Sequence, residues 1–242
     1  MTIPAPAPIP VADAGDIRSP HDLTIIHQDE WLLAVAKPSG MAVHRGWARE
    51  TDTAARRIRD HLAQRVHPVH RLDRGTSGVL LFALEPEVAA DVGRAFEAGE
   101  VQKRYLALVR GVPPDSGTID HPIPRVAGGA RVPAVTEFRR IARSPTERCS
   151  LVEARPRTGR LHQVRRHLKH ISHPLVGDVR YGRGDINRHY RAQYDLHRLA
   201  LHAWSLELTH PRTGSPLRLR ASMPADLAAA LVSLGLPTSP EG

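Results

Sequence analysis

Residues 70–84 read H-R-L-D-R-G-T-S-G-V-L-L-F-A-L, and no other stretch limits the fold so tightly. A charged tetrad leads through Gly75, Thr76, Ser77 and Gly78 into an unbroken apolar run, Val79 to Leu84, closed by Glu85-Pro86. A short apolar run between such breakers reads as a buried strand. Asp73 then sits on a tight loop at the mouth of that strand, and loops on rigid scaffolds are where catalytic side chains collect. Arg71 and Arg74 flank it, and nearby cations favour the carboxylate. An ionised, positioned carboxylate can be a nucleophile. Taken alone, an R-x-D-R string is more often a turn with a structural ion pair.

With 242 residues the chain can bury a sizeable core, as one large domain or two small ones. A formal charge of +9 points to an anionic partner. Between Arg155 and Arg191 stand ten Arg or Lys residues against two acids, Asp178 and Asp185, so most of the excess lies in one segment. Charge packed this way reads as a binding face. No apolar stretch approaches the roughly 18 residues that span a bilayer. Residues 1–20 are rich in alanine and proline, without the cationic start and apolar centre of a signal peptide. They are expected to form a disordered tail. The lone Cys149 excludes an internal disulfide and a cysteine-based zinc site. These features predict a soluble, cytoplasmic monomer.

Strands at 23–28 and 31–36 are expected around Asp29-Glu30, followed by a turn at Lys37-Pro38-Ser39-Gly40. Residues 51–66 read as a helix, with Ile58, Leu62 and Val66 at i, i+4 and i+8. Pro86 opens a second helix that Gly99 closes. Residues 101–109 alternate as a strand, placing Tyr105 beside Lys103. Further strands are expected at 134–141, 149–155, 200–208 and 217–221, the last two flanking a hairpin turn, with a terminal helix at 225–234. Strands dominate and often neighbour each other, which predicts an α+β fold around a mixed, largely antiparallel sheet flanked by a few helices. One domain over 21–236 is expected.

Thr158-Gly159-Arg160 leads into a predicted helix over 161–171. At about 100° per residue, Leu161, Val164, Leu168 and Ile171 share one arc, and His162, Arg165, Arg166 and Lys169 another. The second arc is expected to face RNA phosphates. Arg160 could reach back to a carboxylate with its planar fork. The histidines at 162, 167, 170 and 173 do not converge on the wheel as metal ligands would, so no metal is expected; they should stack on RNA or lie solvated.

H-R-L-D-x-x-T-S-G before a hydrophobic strand resembles the signature of the RluA-type pseudouridine synthases. T-G-R-L-H-Q-V-R-R-H, then H-P-L-V-G-D-V-R-Y-G, are similar to two further family elements. K-P-S-G-M-A-V-H at 37–44 and K-R-Y-L-A-L-V-R-G at 103–111 are similar to others. Arg165-Arg166, K-H-I-S-H-P and the run at 187–204 look most like the tRNA-modifying TruC branch. The likeness covers about residues 23–222 and leaves no room for the S4-type module of many relatives. It implies a pseudouridine synthase catalytic domain that isomerises a uridine in tRNA, with ribosomal RNA as the runner-up, and needs no cofactor. Asp73 would be the nucleophile, Arg160 its ion-pair partner, Tyr105 the ring stacked on the extruded uracil, and Arg71 the residue filling the vacated stack. Two rivals are a catalytically inert RNA-binding protein and a metal-dependent nuclease. The joint presence of Asp73, Tyr105 and Arg160 argues against the first, and the scattered acids argue against the second.

Overall fold

The computed structural model describes residues 23–45, 51–124 and 129–241, so the expected tail at 1–20 lies outside the described residues. The first half runs β1 (Thr24–Gln28), β2 (Leu32–Lys37), α1 (Ala54–Leu62), β3 (His67–Pro68), β4 (Ser77–Ala83), α2 (Pro86–Ala98), β5 (Gln102–Arg110) and β6 (Ser116–Asp120). Two short strands follow, β7 (Ile123–Pro124) and β8 (Arg131–Val132). The rest is β9 (Val135–Arg143), β10 (Cys149–Pro156), α3 (Gln163–His170), α4 (Gly184–Tyr194), β11 (Leu201–Thr209), β12 (Pro216–Arg220) and α5 (Ala225–Ser233).

Ten strands build one sheet in the order β1-β2-β4-β11-β5-β10-β9-β6, with β3 added to β4 and β12 to β11. Among the described pairs of named strands, only β4 with β11 is parallel, through His202↔Ser77 and Ala203↔Gly78. The fold is therefore α+β with a mixed, largely antiparallel sheet. The parallel seam lies at its middle, and β4 is buried at every position. A Cβ on Gly78 would meet the Ala203 carbonyl oxygen at 2.1 Å, and its φ is +117°. Only glycine fits that crossing. Ser77 Oγ lies 2.9 Å from His202 Nδ1 and accepts a bond from Arg198 Nη2 at 2.6 Å, clasping the seam.

Two-residue alternation sorts side chains to the two faces. Leu33, Val35, Leu80 and Phe82 pack with Ile58 of α1, while Ala107, Val109 and Val152 pack with Val164 and Leu168 of α3. Tyr105 packs against both of these clusters. On the other face, Leu32, Ala34, Val79 and Leu81 meet Val88 and Val92 of α2. Leu106, Leu108 and Leu151 there meet Tyr190 of α4 and Leu227 and Leu231 of α5. Phe82 is fully buried, and cutting it to alanine should cost about 3–5 kcal/mol.

The helix expected over 51–66 is shorter. Thr53 Oγ1 caps it at the Arg56 N–H, and left-handed Ala63 ends it. α2 starts on Pro86 and stops at Gly99, as its punctuation predicts. α4 escaped sequence reading because Asn187 and Tyr190 are its buried residues and no side chain caps it. β6 escaped because Ile119 alone is buried among its five residues. No described helix is long and apolar enough to cross a membrane.

Candidate active site

The turn after β2 holds the loop before β4. Lys37 is 1% exposed, and its ammonium donates to the carbonyls of Pro38 and Met41 at 2.8 Å and of Arg74 at 3.3 Å. Ser39 Oγ donates to the Gly75 carbonyl at 2.8 Å. Gly40 and Arg74 are tied twice: the Gly40 N–H bonds the Arg74 carbonyl, and Arg74 Nε bonds the Gly40 carbonyl, each at 2.8 Å. Burial pushes the Lys37 pKa down to about 7, helped by the Arg198 charge and opposed by Asp73. The K-P-S-G string thus fixes the backbone on which Asp73 stands.

Asp73 is partly exposed, and its Oδ2 accepts a bond from Arg165 Nη1 at 2.9 Å. Its Oδ1 lies 3.7 Å from His162 Nε2. Arg165 is itself gripped from behind. Its Nε donates to Asp178 Oδ2 at 2.8 Å and its Nη2 to Oδ1 at 2.9 Å, and the Asp178 side chain is completely buried. Asp178 Oδ1 also accepts the N–H groups of Arg180 and Tyr181. Burial would raise the Asp178 pKa, but the Arg165 bond and the Tyr181 N–H hold it below its ordinary value. Burial likewise disfavours charge on Arg165, yet the bonds to Asp178 and then Asp73 raise its pKa.

The turn carrying Asp178 is anchored in its own right. Asn187 of α4 accepts the Gly177 N–H and donates to the Asp178 carbonyl. Gly177 has φ +76°, and a Cβ there would lie 1.9 Å from the Arg198 carbonyl oxygen. The Tyr181 ring lies 5.1 Å from the Arg165 guanidinium and 5.7 Å from those of Arg166 and Arg180. Its hydroxyl accepts from Arg166 Nε at 2.8 Å and lies 3.0 Å from His162 Nδ1. Burial holds the His162 pKa below its ordinary value, against the pull of Asp73.

The expected partnership of Arg160 with Asp73 does not form. Arg160 is exposed, and its Nε donates to the Pro133 carbonyl at 3.2 Å. Arg165, expected to face RNA phosphates, holds Asp73 instead. The helical wheel is correct in placing Arg165 off the apolar arc, but the chain returns at Asp178 and covers that side. Arg166 also bonds inward, to Tyr181 and to the Pro124 carbonyl. Lys169 is exposed as expected.

α3 begins at Gln163, so Leu161 falls before the helix and is 39% exposed. The Gln163 side chain explains the turn: Oε1 accepts Thr158 Oγ1 and the Arg160 N–H, while Nε2 donates to the Val135 carbonyl. His167 is fully buried between Thr136 Oγ1 and the His121 carbonyl, which corrects its expected placement against RNA or in solvent. His170 stacks on His121 at 3.7 Å, and His173 bonds the Arg110 carbonyl. No group of three potential metal ligands occurs among the described residues.

Arg71 is exposed beside Asp73. Arg74, expected to flank the carboxylate, turns to Gly40. Tyr105 is half-buried; burial and then the Asp73 charge raise its pKa, so the phenol is neutral at physiological pH. Lys37, Gln163, Asp178 and Asn187 were not foreseen as site residues. Asp178 has two signals in the sequence, its place in the H-P-L-V-G-D-V-R-Y-G element and its standing as one of two acids in a basic segment. The assembled site is a one-sided carboxylate beside an aromatic ring and exposed cations, suited to attack on a planar group carried by a polyanion.

Residues 31–170 match the family model described as RNA pseudouridylate synthase. The chain is 43% identical over 234 residues to the tRNA pseudouridine synthase C of Pectobacterium carotovorum, covering 88% of this chain and 62% of that relative. It is 41% identical over 226 residues to the protein of the same name from Vibrio parahaemolyticus, covering 85% of this chain and 92% of that one. Among solved structures, human RNA pseudouridylate synthase domain containing 4 superposes with a TM-score of 0.71 at 30% identity, over 88% of this chain and 93% of that one.

Proposed function

Because the chain belongs to the RNA pseudouridylate synthase family, we propose that it isomerises a specific uridine of tRNA to pseudouridine, with Asp73 as the nucleophile. The reaction breaks the N1–C1′ bond of the uridine and joins C5 to C1′. The C5 hydrogen is replaced by the new carbon bond while N1 gains a proton, so nothing is oxidised or reduced. No redox group is needed for that balance.

The observation that carries this reading is the state of Asp73. One oxygen is fixed by Arg165 and the other faces no side-chain donor among the described residues closer than His162 at 3.7 Å. A carboxylate so held stays aimed and keeps a lone pair for attack. Tyr105 supplies a ring on which an extruded uracil stacks. Arg71 stands exposed next to the loop, where it fills the gap the base leaves. Arg160 and Lys169 take backbone phosphates, while Arg165 and His162 serve the carboxylate.

Incubating the purified protein with unmodified tRNA and ribosomal RNA transcripts, then mapping pseudouridine by chemical labelling and primer extension, tests the proposal. A single modified tRNA position is expected. Modification confined to ribosomal RNA would overturn the substrate, and none in either would overturn the activity.

A further inference from the structure

A cleft of about 200 Å³ opens where the start of β5 meets the end of β10, lined by Lys103, Arg104, Arg155, Arg157 and Glu207 with Gly99 at its rim. Arg157 is paired bidentately with Glu137, but Lys103 and Arg104 are incompletely satisfied. Lys103 is largely buried, and its ammonium donates to the Thr158 carbonyl at 3.1 Å, with no carboxylate among its partners. Burial, with the Arg160 charge nearby, pushes its pKa down to about 8. Arg104 gives Nε to the buried Glu153, and neither of its terminal nitrogens bonds a described acceptor. Arg155 gives Nε and Nη2 to the same carboxylate, and Arg139 is a third guanidinium on it. Of the lining residues, Arg104 and Arg155 share the one Glu153 carboxylate and Lys103 has no acidic partner, which leaves surplus positive charge in the wall. Glu207, the acid lining the cleft, lies 3.6 Å from Arg218 outside it.

Concave surface, surplus charge and free N–H donors together select a compact, multiply accepting anion. The cleft adjoins the reaction site through two elements. β5 carries Lys103 two residues before Tyr105, and the 156–160 turn carries both the Thr158 carbonyl and Arg160. A strand that lays a uracil over Tyr105 must pass one end of this strand pair.

We infer that this cleft is a phosphate subsite, in which Lys103 and Arg104 grip one phosphodiester of the substrate strand close to the reacting nucleotide. The inference rests on the RNA-modifying reading above. Lys103 holds the register of the strand and leaves the chemistry to Asp73.

The test uses the full chain and a tRNA stem-loop bearing the target uridine, with single neutral methylphosphonates placed in turn along its backbone. RNA affinity is measured against salt for the parent, Lys103→Gln and Lys103→Glu. Loss of one phosphate contact lowers the slope of log affinity against log salt by roughly 0.7–0.9, so Lys103→Gln should show that drop. At one linkage near the uridine, the methylphosphonate should weaken the parent yet add nothing to Lys103→Gln. Lys103→Glu should bind still more weakly. An unchanged slope in a folded Lys103→Gln, or penalties that add at every linkage, overturns the subsite. If Lys103→Gln fails to fold, Arg104→Gln replaces it in the same scan, and the same additivity at every linkage overturns the proposal. A parent that binds RNA but converts no uridine sinks the isomerase reading and leaves the phosphate map standing.

Discussion

Asp73 and Glu153 are both carboxylates held by arginine, yet Glu153 takes three guanidiniums and Asp73 takes one. Glu153 stands in the middle of β10 with a side chain 1% exposed, ringed by Arg104, Arg139 and Arg155. Bonds from Arg155 and Arg104 hold its pKa down against the pull of burial. Both of its oxygens are occupied, so it can neither attack nor accept a proton readily. Asp73 stands on a loop, 16% exposed, with one oxygen fixed and the other open. The difference separates two uses of the same pair of residue types. Saturating a carboxylate with cations knits a sheet together, whereas holding it from one side aims it.

Loss of Arg165 should disturb that comparison most. Arg165→Gln removes the aiming contact, and single-turnover conversion should fall about 10²–10³-fold, the scale for removing one preorganised electrostatic contact. Arg160→Ala should fall far less. Equal losses in single-turnover assays of the two variants would return the aiming role to Arg160.

Glu153→Gln should break the other half. It leaves guanidiniums without their counter-charge, and stability should drop by about 3 kcal/mol, the low end for a broken buried pair, because Arg139 and Arg155 are half exposed and can rehydrate. Denaturant unfolding measures this. A loss below roughly 1 kcal/mol would place the cluster with ordinary surface pairs.

Asp178→Asn sharpens the contrast, since it loosens Arg165 without touching Asp73. kcat should fall roughly 10-fold to 100-fold, the range in which small misplacements act, with KM nearly constant. A KM change with constant kcat would make Asp178 a binding residue instead. The smallest effect belongs to Lys169→Gln, which should lower the salt slope of RNA affinity by roughly 0.7–0.9 and barely alter single-turnover conversion.

Much of this arrangement was legible in the sequence. The T-S-G glycine and the apolar run place β4, and Asp73 follows from them. The α+β class follows from adjacent alternating segments. Pairing across the chain was not legible. Helical periodicity groups Arg165, Arg166 and Lys169 correctly as non-apolar, but cannot say that Asp178, on a later turn, will bury one of them. Arg160 follows a glycine, which made it look free to reach back; Gln163 instead folds the turn so that Arg160 meets the Pro133 carbonyl. His167 escapes for a related reason, since its partners, Thr136 in β9 and His121 in the link after β6, lie 31 and 46 residues away in sequence. The parallel contact of β4 with β11 spans more than a hundred residues, and no local pattern announces it.

The most direct test compares Asp73→Asn with Glu153→Gln in one experiment, recording melting temperature, RNA affinity and single-turnover conversion of a tRNA transcript. An amide is a very poor nucleophile, so Asp73→Asn should melt near the parent temperature, bind RNA as the parent does, and form no pseudouridine. Glu153→Gln should melt well below the parent while retaining conversion at temperatures where it is folded. Measurable conversion by a folded Asp73→Asn would contradict the central claim, whatever Glu153→Gln does.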